Sequence, residues 1–157
     1  MKKKVLIIFS IALITFYYMK HSIKFHKIVK NQKTRGIDAF GSGAFGAKRT
    51  HGTHQGVDIV TTKGEYIYSP INGVVKRYAR PYADDNRFNG IVLTSGDLEI
   101  KIFYVNPTIA VGSKIIAGQV IAIAENIGEK FGPKMTPHAH IEARINKRLI
   151  NPTDLLI

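Results

Sequence analysis

The chain has 157 residues, a hydrophobic content of 45% and a net charge of +12, and it contains no cysteine. This length and composition suit one domain with a hydrophobic core and exclude a chain that is disordered throughout. The lack of cysteine excludes disulfides and metal sites built on thiolates. Nine of the 23 basic residues, and none of the 11 acidic residues, lie in residues 1–36. Because the positive charge is concentrated in that segment, we expect no nucleic-acid partner.

The first residues have the pattern of an export signal. Three lysines at positions 2–4 precede an apolar run from Val5 to Met19, as export signals do. As a helix this run would be about 22 Å long, which is short of a hydrocarbon core of about 30 Å. No pair of small residues follows the run to mark a cleavage site. We therefore predict an N-terminal hydrophobic helix, residues 1–19, that is retained as a signal-anchor or transmembrane segment, with a cleaved signal peptide as the alternative.

The next residues, 20–36, are predicted to be a basic juxtamembrane linker. Positive charge prefers the cytoplasmic side of a membrane, and that rule taken alone would place the following domain inside the cell. The alternative is that the segment lies on an anionic membrane surface, because Lys20, Lys24 and Lys27 have helical spacing with apolar residues between them,. We expect the domain on the extracytoplasmic side, in the periplasm or at the cell surface.

From about Gly36 the sequence is predicted to be mainly β. Five glycines make residues 36–52 a predicted loop,. Seven short runs rich in Val, Ile and Tyr follow, separated by Gly, Pro and Asn. The predicted strands are Val57–Thr61, Glu65–Ser69, Gly73–Tyr78, Gly90–Thr94, Leu98–Val105, Gln119–Ala124 and His138–Ile145. Residues 95–97 predict a hairpin turn, and residues 125–131 could hold one short helix. The predicted architecture is a curved antiparallel sheet or β-sandwich.

Four histidines of this β region fall into two clusters, one with His51 and His54 and one with His138 and His140. Side chains two residues apart on a strand point to one face, so His138 and His140 are expected to project together. In the run His54-Gln-Gly-Val-Asp58, the glycine and the β-branched residues disfavour a helix. This run predicts a loop carrying His54 that enters a strand carrying Asp58, on the same open surface as the histidine pair.

These clusters predict a zinc site. Two histidines and one carboxylate, with a fourth position left for water, form a catalytic zinc pattern. A structural zinc site would be closed by four protein ligands, usually including cysteine. The two imidazoles of the second cluster could share the metal, or one could bind it while the other moves protons. The alternative is a set of unrelated surface or hydrogen-bonded histidines.

The two clusters, with four stretches around them, resemble the LytM/lysostaphin-type zinc endopeptidases, which cut peptide bonds in bacterial peptidoglycan. The matching stretches are Phe45-Gly46, His54-Gln-Gly-Val-Asp58, Ser69-Pro-Ile-Asn-Gly-Val-Val75, Val111 to Ile121, His138-Ala-His140 and Asn151-Pro152. The resemblance covers about residues 38–156 and implies the groove-bearing β fold of that family. It implies that Zn²⁺ is bound by His54, Asp58 and His140. It further implies that His138 is a catalytic histidine that handles protons beside the zinc.

In one strand the sequence departs from this family, which has a second catalytic histidine in a Tyr-x-His-Leu motif. The corresponding residues here, Lys101 to Pro107, contain no histidine, and Tyr104 lies at or next to its place. The departure resembles the chemotaxin 2-like branch, which is similar in fold and zinc site but is not known for peptidase activity. The Tyr104 hydroxyl, or His51 if its loop folds inward, could supply the missing oxyanion donor. An ordinary strand aromatic is the alternative for Tyr104.

Together these features predict a membrane-anchored zinc metalloendopeptidase, with a domain over residues 37–157 that takes peptidoglycan cross-link peptides into its groove. The alternative is a catalytically inactive zinc-binding domain that binds cell-wall peptide or a protein partner. The missing family histidine favours the inactive domain. His138 favours the enzyme, because a zinc site alone needs only His140 from that pair.

Overall fold

The computed structural model describes residues 25–153 and 155–156. These residues form a mainly β fold with antiparallel sheets and one short helix, which confirms the predicted class. The hydrophobic helix predicted at residues 1–19 lies outside the described residues. Within the described part of the chain, no helix is long and apolar enough to cross a membrane.

The described residues contain fourteen strands and one helix. In chain order the strands are Ile37–Asp38 (β1), Gly41–Ser42 (β2), Lys48–Arg49 (β3), Gly52–Thr53 (β4), Val57–Val60 (β5), Tyr66–Tyr68 (β6), Gly73–Ala79 (β7), Gly90–Ser95 (β8), Leu98–Phe103 (β9), Val105–Pro107 (β10), Lys114–Ile115 (β11), Val120–Ala124 (β12), His138–Ile145 (β13) and Arg148–Ile150 (β14). The helix, Gly128–Phe131 (α1), lies between β12 and β13. The largest sheet has the order β11-β7-β8-β9-β13-β14, with β5 also paired to β13. A second sheet has the order β10-β12-β6.

Each of the seven predicted strands has a counterpart in the structure, and two further strands, β11 and β14, were not predicted. The strand predicted over Leu98–Val105 ends at Phe103, because Tyr104 adopts a left-handed backbone conformation with φ 62°. The chain then enters β10, which pairs with β12 in the second sheet. The loop predicted over residues 36–52 contains two small hairpins, β1 with β2 and β3 with β4. The hairpin predicted at residues 95–97 joins β8 to β9.

Strand β13 is the centre of the fold. It pairs with β9 along one edge and with β5 and then β14 along the other. Ala139, Ile141 and Ala143 alternate along the strand and are completely buried in the main hydrophobic core. The period of two in a strand turns His138 and His140 to the opposite face. Burial of one face thus fixes where both histidines point.

Residues 25–36 belong to the fold, so the linker predicted over residues 20–36 does not continue to residue 36. Phe25, Ile28 and Val29 are at most 1% exposed and form part of the main core. Backbone hydrogen bonds attach the segment at several points, for example from Tyr68 N to the Ile28 carbonyl at 2.8 Å. These three apolar residues, which contributed to the membrane-surface alternative, face the protein interior. This segment is therefore a structural part of the domain.

We expect Ile28→Ala to lower the free energy of unfolding by about 2–5 kcal/mol, because it leaves a cavity in the core. The matched control Lys30→Ala removes an exposed side chain two residues away and should change it by no more than about 0.5 kcal/mol. Chemical denaturation of the full chain measures both. Equal, small effects would mean that the segment is only loosely attached.

Candidate metal centre

Two neighbouring strands and one loop bring together His54, Asp58 and His140. Strands β5 and β13 pair so that Asp58 lies directly opposite His140. His54 lies on the loop that enters β5 and reaches the same face. Gly56 allows this close approach, because a Cβ there would lie 2.2 Å from the Ile141 carbonyl oxygen and 2.7 Å from Cε1 of His140. The pairing and the glycine together bring both clusters to one place.

The potential ligand atoms of these three residues converge on one point. Asp58 Oδ1 lies 2.9 Å from His140 Nδ1 and 3.2 Å from His54 Nε2. The two imidazole nitrogens are 2.9 Å apart. The Asp58 side chain is only 3% exposed, so this carboxylate is shielded from bulk solvent. The three residues could hold a metal ion, as the sequence predicts.

The second ring nitrogen of each histidine faces a partner outside the cluster. His54 Nδ1 lies 2.9 Å from the Ala44 carbonyl oxygen, which can only accept a hydrogen bond. The proton of a neutral His54 is therefore on Nδ1, and Nε2 keeps its lone pair. His140 Nε2 lies 3.6 Å from Oε1 of Glu142. Carbonyl and carboxylate partners of this kind orient histidine ligands and raise their basicity.

The electrostatics of the cluster favour a positive charge at its centre. Burial alone would raise the pKa of Asp58, but the hydrogen bonds with His140 and His54 outweigh it and hold the pKa of this carboxyl far below its usual range. Burial lowers the pKa of His140, but the hydrogen bonds with Asp58 and Glu142 outweigh it, so its pKa is raised. The carboxylate stays charged, and its neighbours are stabilised when they carry or bind positive charge.

His138 lies beside the cluster but makes a different set of contacts. Its Nδ1 lies 2.7 Å from the Thr136 carbonyl oxygen and donates to it, so Nε2 is the free nitrogen. That Nε2 lies 3.6 Å from Oδ2 of Asp58. Burial lowers the pKa of His138 and outweighs the opposing effect of the Asp58 charge. A buried neutral imidazole with one free nitrogen is suited to accept a proton.

Tyr104 lies directly beside His138. The two rings meet edge to face, with centroids 5.4 Å apart. The Tyr104 hydroxyl lies 3.1 Å from the hydroxyl of Tyr82. Burial, together with the hydrogen bond to Tyr82 and the charge of Asp58, raises the pKa of Tyr104 above its ordinary value. The phenol therefore stays protonated and can donate a hydrogen bond.

These residues line one side of a cleft of about 290 Å³. Its other lining residues include the aromatic residues Phe40, Tyr82, Phe103 and Phe131, and the cations Arg35 and Arg49. His51, the second residue considered as an oxyanion donor, lies on the exposed turn between β3 and β4 and is not among the residues that line the cleft. Tyr104, and not His51, thus lies beside His138 in the cleft.

Two residues of the site are missing from the sequence prediction. Glu142 lies behind His140 and also contacts Lys101 and Arg144. Its position two residues after His140 on a predicted strand places it on the same face, which was an available signal. Arg35 donates to Asp58 from a segment read as a linker. A single arginine in a lysine-rich stretch carries no local signal of such a contact.

Residues 52–152, more than half of the chain, match the sequence profile of peptidase family M23. The chain belongs to peptidase family M23. It is also 32% identical over 113 residues to leukocyte cell-derived chemotaxin-2 of Mus musculus. The aligned region covers 71% of this chain and 74% of that protein. The predicted resemblance to LytM-type enzymes and to the chemotaxin 2-like branch is confirmed.

Solved structures agree with this assignment. A zinc-containing peptidase from Vibrio cholerae superimposes with a TM-score of 0.61 at 25% identity, over 81% of this chain and 38% of that chain. Lysostaphin from Staphylococcus simulans, an antimicrobial peptidase, superimposes with a TM-score of 0.60 at 20% identity, over 83% of this chain and 52% of that chain. This M23 chain therefore spans well under half of the first protein and about half of the second, and the second likeness concerns the fold alone.

We expect Gly56→Ala to lower the free energy of unfolding by about 1–3 kcal/mol or more, because the new methyl group would collide with β13 and His140. The matched control is Gly36→Ala, whose Cβ would meet no atom within 4 Å. Chemical denaturation of both variants measures the difference. If the two substitutions have the same effect, the close approach of the loop to β13 is not a constraint.

Proposed function

We propose that this M23 protein is a membrane-anchored zinc metalloendopeptidase that cuts cross-link peptides of peptidoglycan on the extracytoplasmic side. The observation that carries the proposal is His138. Its Nε2 points at the cluster, while its Nδ1 is held by the Thr136 carbonyl. A site that only bound metal through His54, Asp58 and His140 would not need this second, oriented imidazole.

The chemistry of the cluster fits a zinc ion. His54 Nε2 and Asp58 Oδ1 are both acceptors, and His140 Nδ1 faces both of them at 2.9 Å. One proton on His140 can bond well to only one of these acceptors at a time, whereas a central cation would satisfy all three. Zinc bonds of about 2.0–2.1 Å in a tetrahedral site place ligand atoms about 3.3 Å apart. The observed separations of 2.9–3.2 Å are close to that value.

Zinc held there would polarise a peptide carbonyl and make a water molecule more acidic. The chain's own residues supply the other parts of hydrolysis. His138 accepts a proton at Nε2 from the attacking water and later returns it to the leaving amine. Tyr104 donates a hydrogen bond from its hydroxyl group to the carbonyl oxygen as negative charge develops there. The Thr136 carbonyl holds His138, and the hydroxyl of Tyr82 in the cleft wall holds Tyr104.

The anchoring part of the proposal is supported by the apolar run from Val5 to Met19 and the lysines before it. The choice of a peptidoglycan peptide is supported by membership of family M23 and by the open cleft beside the cluster. An elongated substrate could lie along this cleft with a peptide bond next to His138.

A second candidate function is a zinc-stabilised binding domain without hydrolysis, whose partner is a cell-wall peptide or a protein. Tyr104 favours it, because this residue stands where the active members of the family are expected to have a histidine. The identity to chemotaxin-2 favours it as well. Measured hydrolysis distinguishes the two candidates.

We expect the purified full chain to contain about one zinc ion per molecule and to release peptides with new amino termini from isolated peptidoglycan. A chelator should abolish release, and added zinc should restore it. His138→Ala should keep its zinc and lose about 10²–10⁴-fold in rate, as for loss of a general base. His54→Ala should lose the zinc itself.

The matched control for these substitutions is His26→Ala, an exposed histidine outside the cleft, which should change neither zinc content nor rate. Zinc at this stoichiometry without any chelator-sensitive release would contradict the enzyme and leave the binding domain. A chain that binds no zinc would contradict both candidates.

We expect Tyr104→Phe to lower kcat/KM by about 10²–10³-fold, because it removes the hydrogen-bond donor to the oxyanion. Zinc content should be unchanged. Tyr78→Phe is the matched control, because Tyr78 is exposed on β7 and its hydroxyl donates to the Ile109 carbonyl outside the cleft. Unchanged hydrolysis by Tyr104→Phe would make Tyr104 an ordinary aromatic residue of the cleft wall.

A further inference from the structure

Arg35 is a buried cation that the proposed reaction does not use. It is 4% exposed and lies before residues 52–152, the region that matches the family. A guanidinium removed from water requires charged or polar partners to offset its desolvation. Those partners are Asp58, Asp38 and the Gly41 carbonyl. The arginine therefore touches a proposed metal ligand directly and reaches a second carboxylate at the same time.

Toward Asp58, the guanidinium occupies one oxygen only. Its Nε and Nη2 donate to Oδ2 at 3.1 and 2.9 Å. The other oxygen, Oδ1, faces His140 and His54. With Oδ2 engaged by two charged hydrogen bonds, Asp58 has a single oxygen free for a metal ion. These two bonds from one rigid, planar group hold Oδ2 toward Arg35 and leave Oδ1 turned toward the two histidines,.

Toward Asp38, the same guanidinium supports the loop before His138. Arg35 Nη1 contacts Oδ2 of Asp38, and this oxygen also accepts from the Thr136 backbone N–H at 3.0 Å. The Thr136 carbonyl in turn accepts from Nδ1 of His138 at 2.7 Å. A continuous chain of polar contacts thus runs from Asp58 through Arg35, Asp38 and Thr136 to His138.

The backbone around Arg35 is built for this contact. Arg35 N donates to the Asp58 carbonyl at 2.8 Å, and Asp58 N donates to the Gly43 carbonyl at 2.9 Å. A Cβ at Gly43 would lie 2.8 Å from Cβ of Arg35 and 3.0 Å from Cβ of Asp58. Only glycine lets the chain after β2 lie against both residues without moving them apart. The contact is therefore secured by the main chain as well as by charge.

We propose that Arg35 is the positioning residue of this centre: it restricts Asp58 to one metal-binding oxygen and connects that ligand to the orientation of His138. Lysine could not replace it, because one ammonium group cannot present the planar fork that reaches Asp58 and Asp38 together. The inference rests on the proposed zinc site but does not depend on hydrolysis.

The test compares Arg35→Met and Arg35→Lys with the matched control Arg148→Met, an exposed arginine on β14 outside the cleft. Each full-length protein is titrated with zinc against a competing chelator, and each is loaded with Co²⁺ for absorption spectroscopy. Loss of a partner that orients a metal ligand typically weakens metal binding by about 10–100-fold. We expect that loss for both Arg35 variants and none for the control.

The cobalt spectrum reports on Asp58 itself. Freed from Arg35, Asp58 can offer both oxygens, and the higher coordination number should weaken the visible absorption bands of Co²⁺. A purely structural role for Arg35 would instead lower thermal stability in the presence of chelator while leaving zinc affinity and the spectrum unchanged, and that result would overturn the inference. The conservative Arg35→Lys variant provides this readout if Arg35→Met does not fold. Absence of zinc binding by the unmodified chain would overturn the proposed zinc site instead, so the two failures are distinguishable.

Discussion

The antiparallel pairing of β5 with β13 is the interaction on which the site depends. It sets Asp58 opposite His140, although the two residues are 82 positions apart in sequence. The same pairing buries the alternate residues of both strands, including Val57 and Ile141, in the core. Because a slip of one residue would turn every side chain to the other face, core burial and site geometry specify the same register. The hydrophobic core thus holds the polar cluster in place.

Around this pairing the protein surrounds one buried carboxylate with donors. Both oxygens of Asp58 are engaged, Oδ2 by Arg35 and Oδ1 by the histidines. Burial of a lone carboxylate would be unfavourable, and a half-satisfied polar network is less stable than a fully satisfied one. The partners therefore cannot be considered separately. A change at one of them alters the position of the carboxylate and, through it, the geometry available to a metal.

The sequence was most informative where a local pattern has one physical meaning. The period of two predicted that His138 and His140 share a face, and the run around Asp58 predicted a loop entering a strand. It was least informative where the meaning depends on distant packing. The apolar residues between the N-terminal lysines would suit a membrane surface equally well, and no local pattern shows that Ile28 fills the core. Tyr104 favours strands by type, yet its left-handed backbone is imposed by the step between two sheets.

If the proposed membrane anchor exists, the attachment of residues 25–36 to the core would also limit how far the domain can stand from the bilayer. Under the proposed anchoring, only residues 20–24 separate the apolar run from Phe25. The backbone N–H of Phe25 donates a hydrogen bond to the Leu155 carbonyl. Five residues span at most about 18 Å when fully extended. Such a short tether would keep the cleft close to the membrane. The protein would then act on cell-wall material close to the membrane and would not reach the outer layers of the wall.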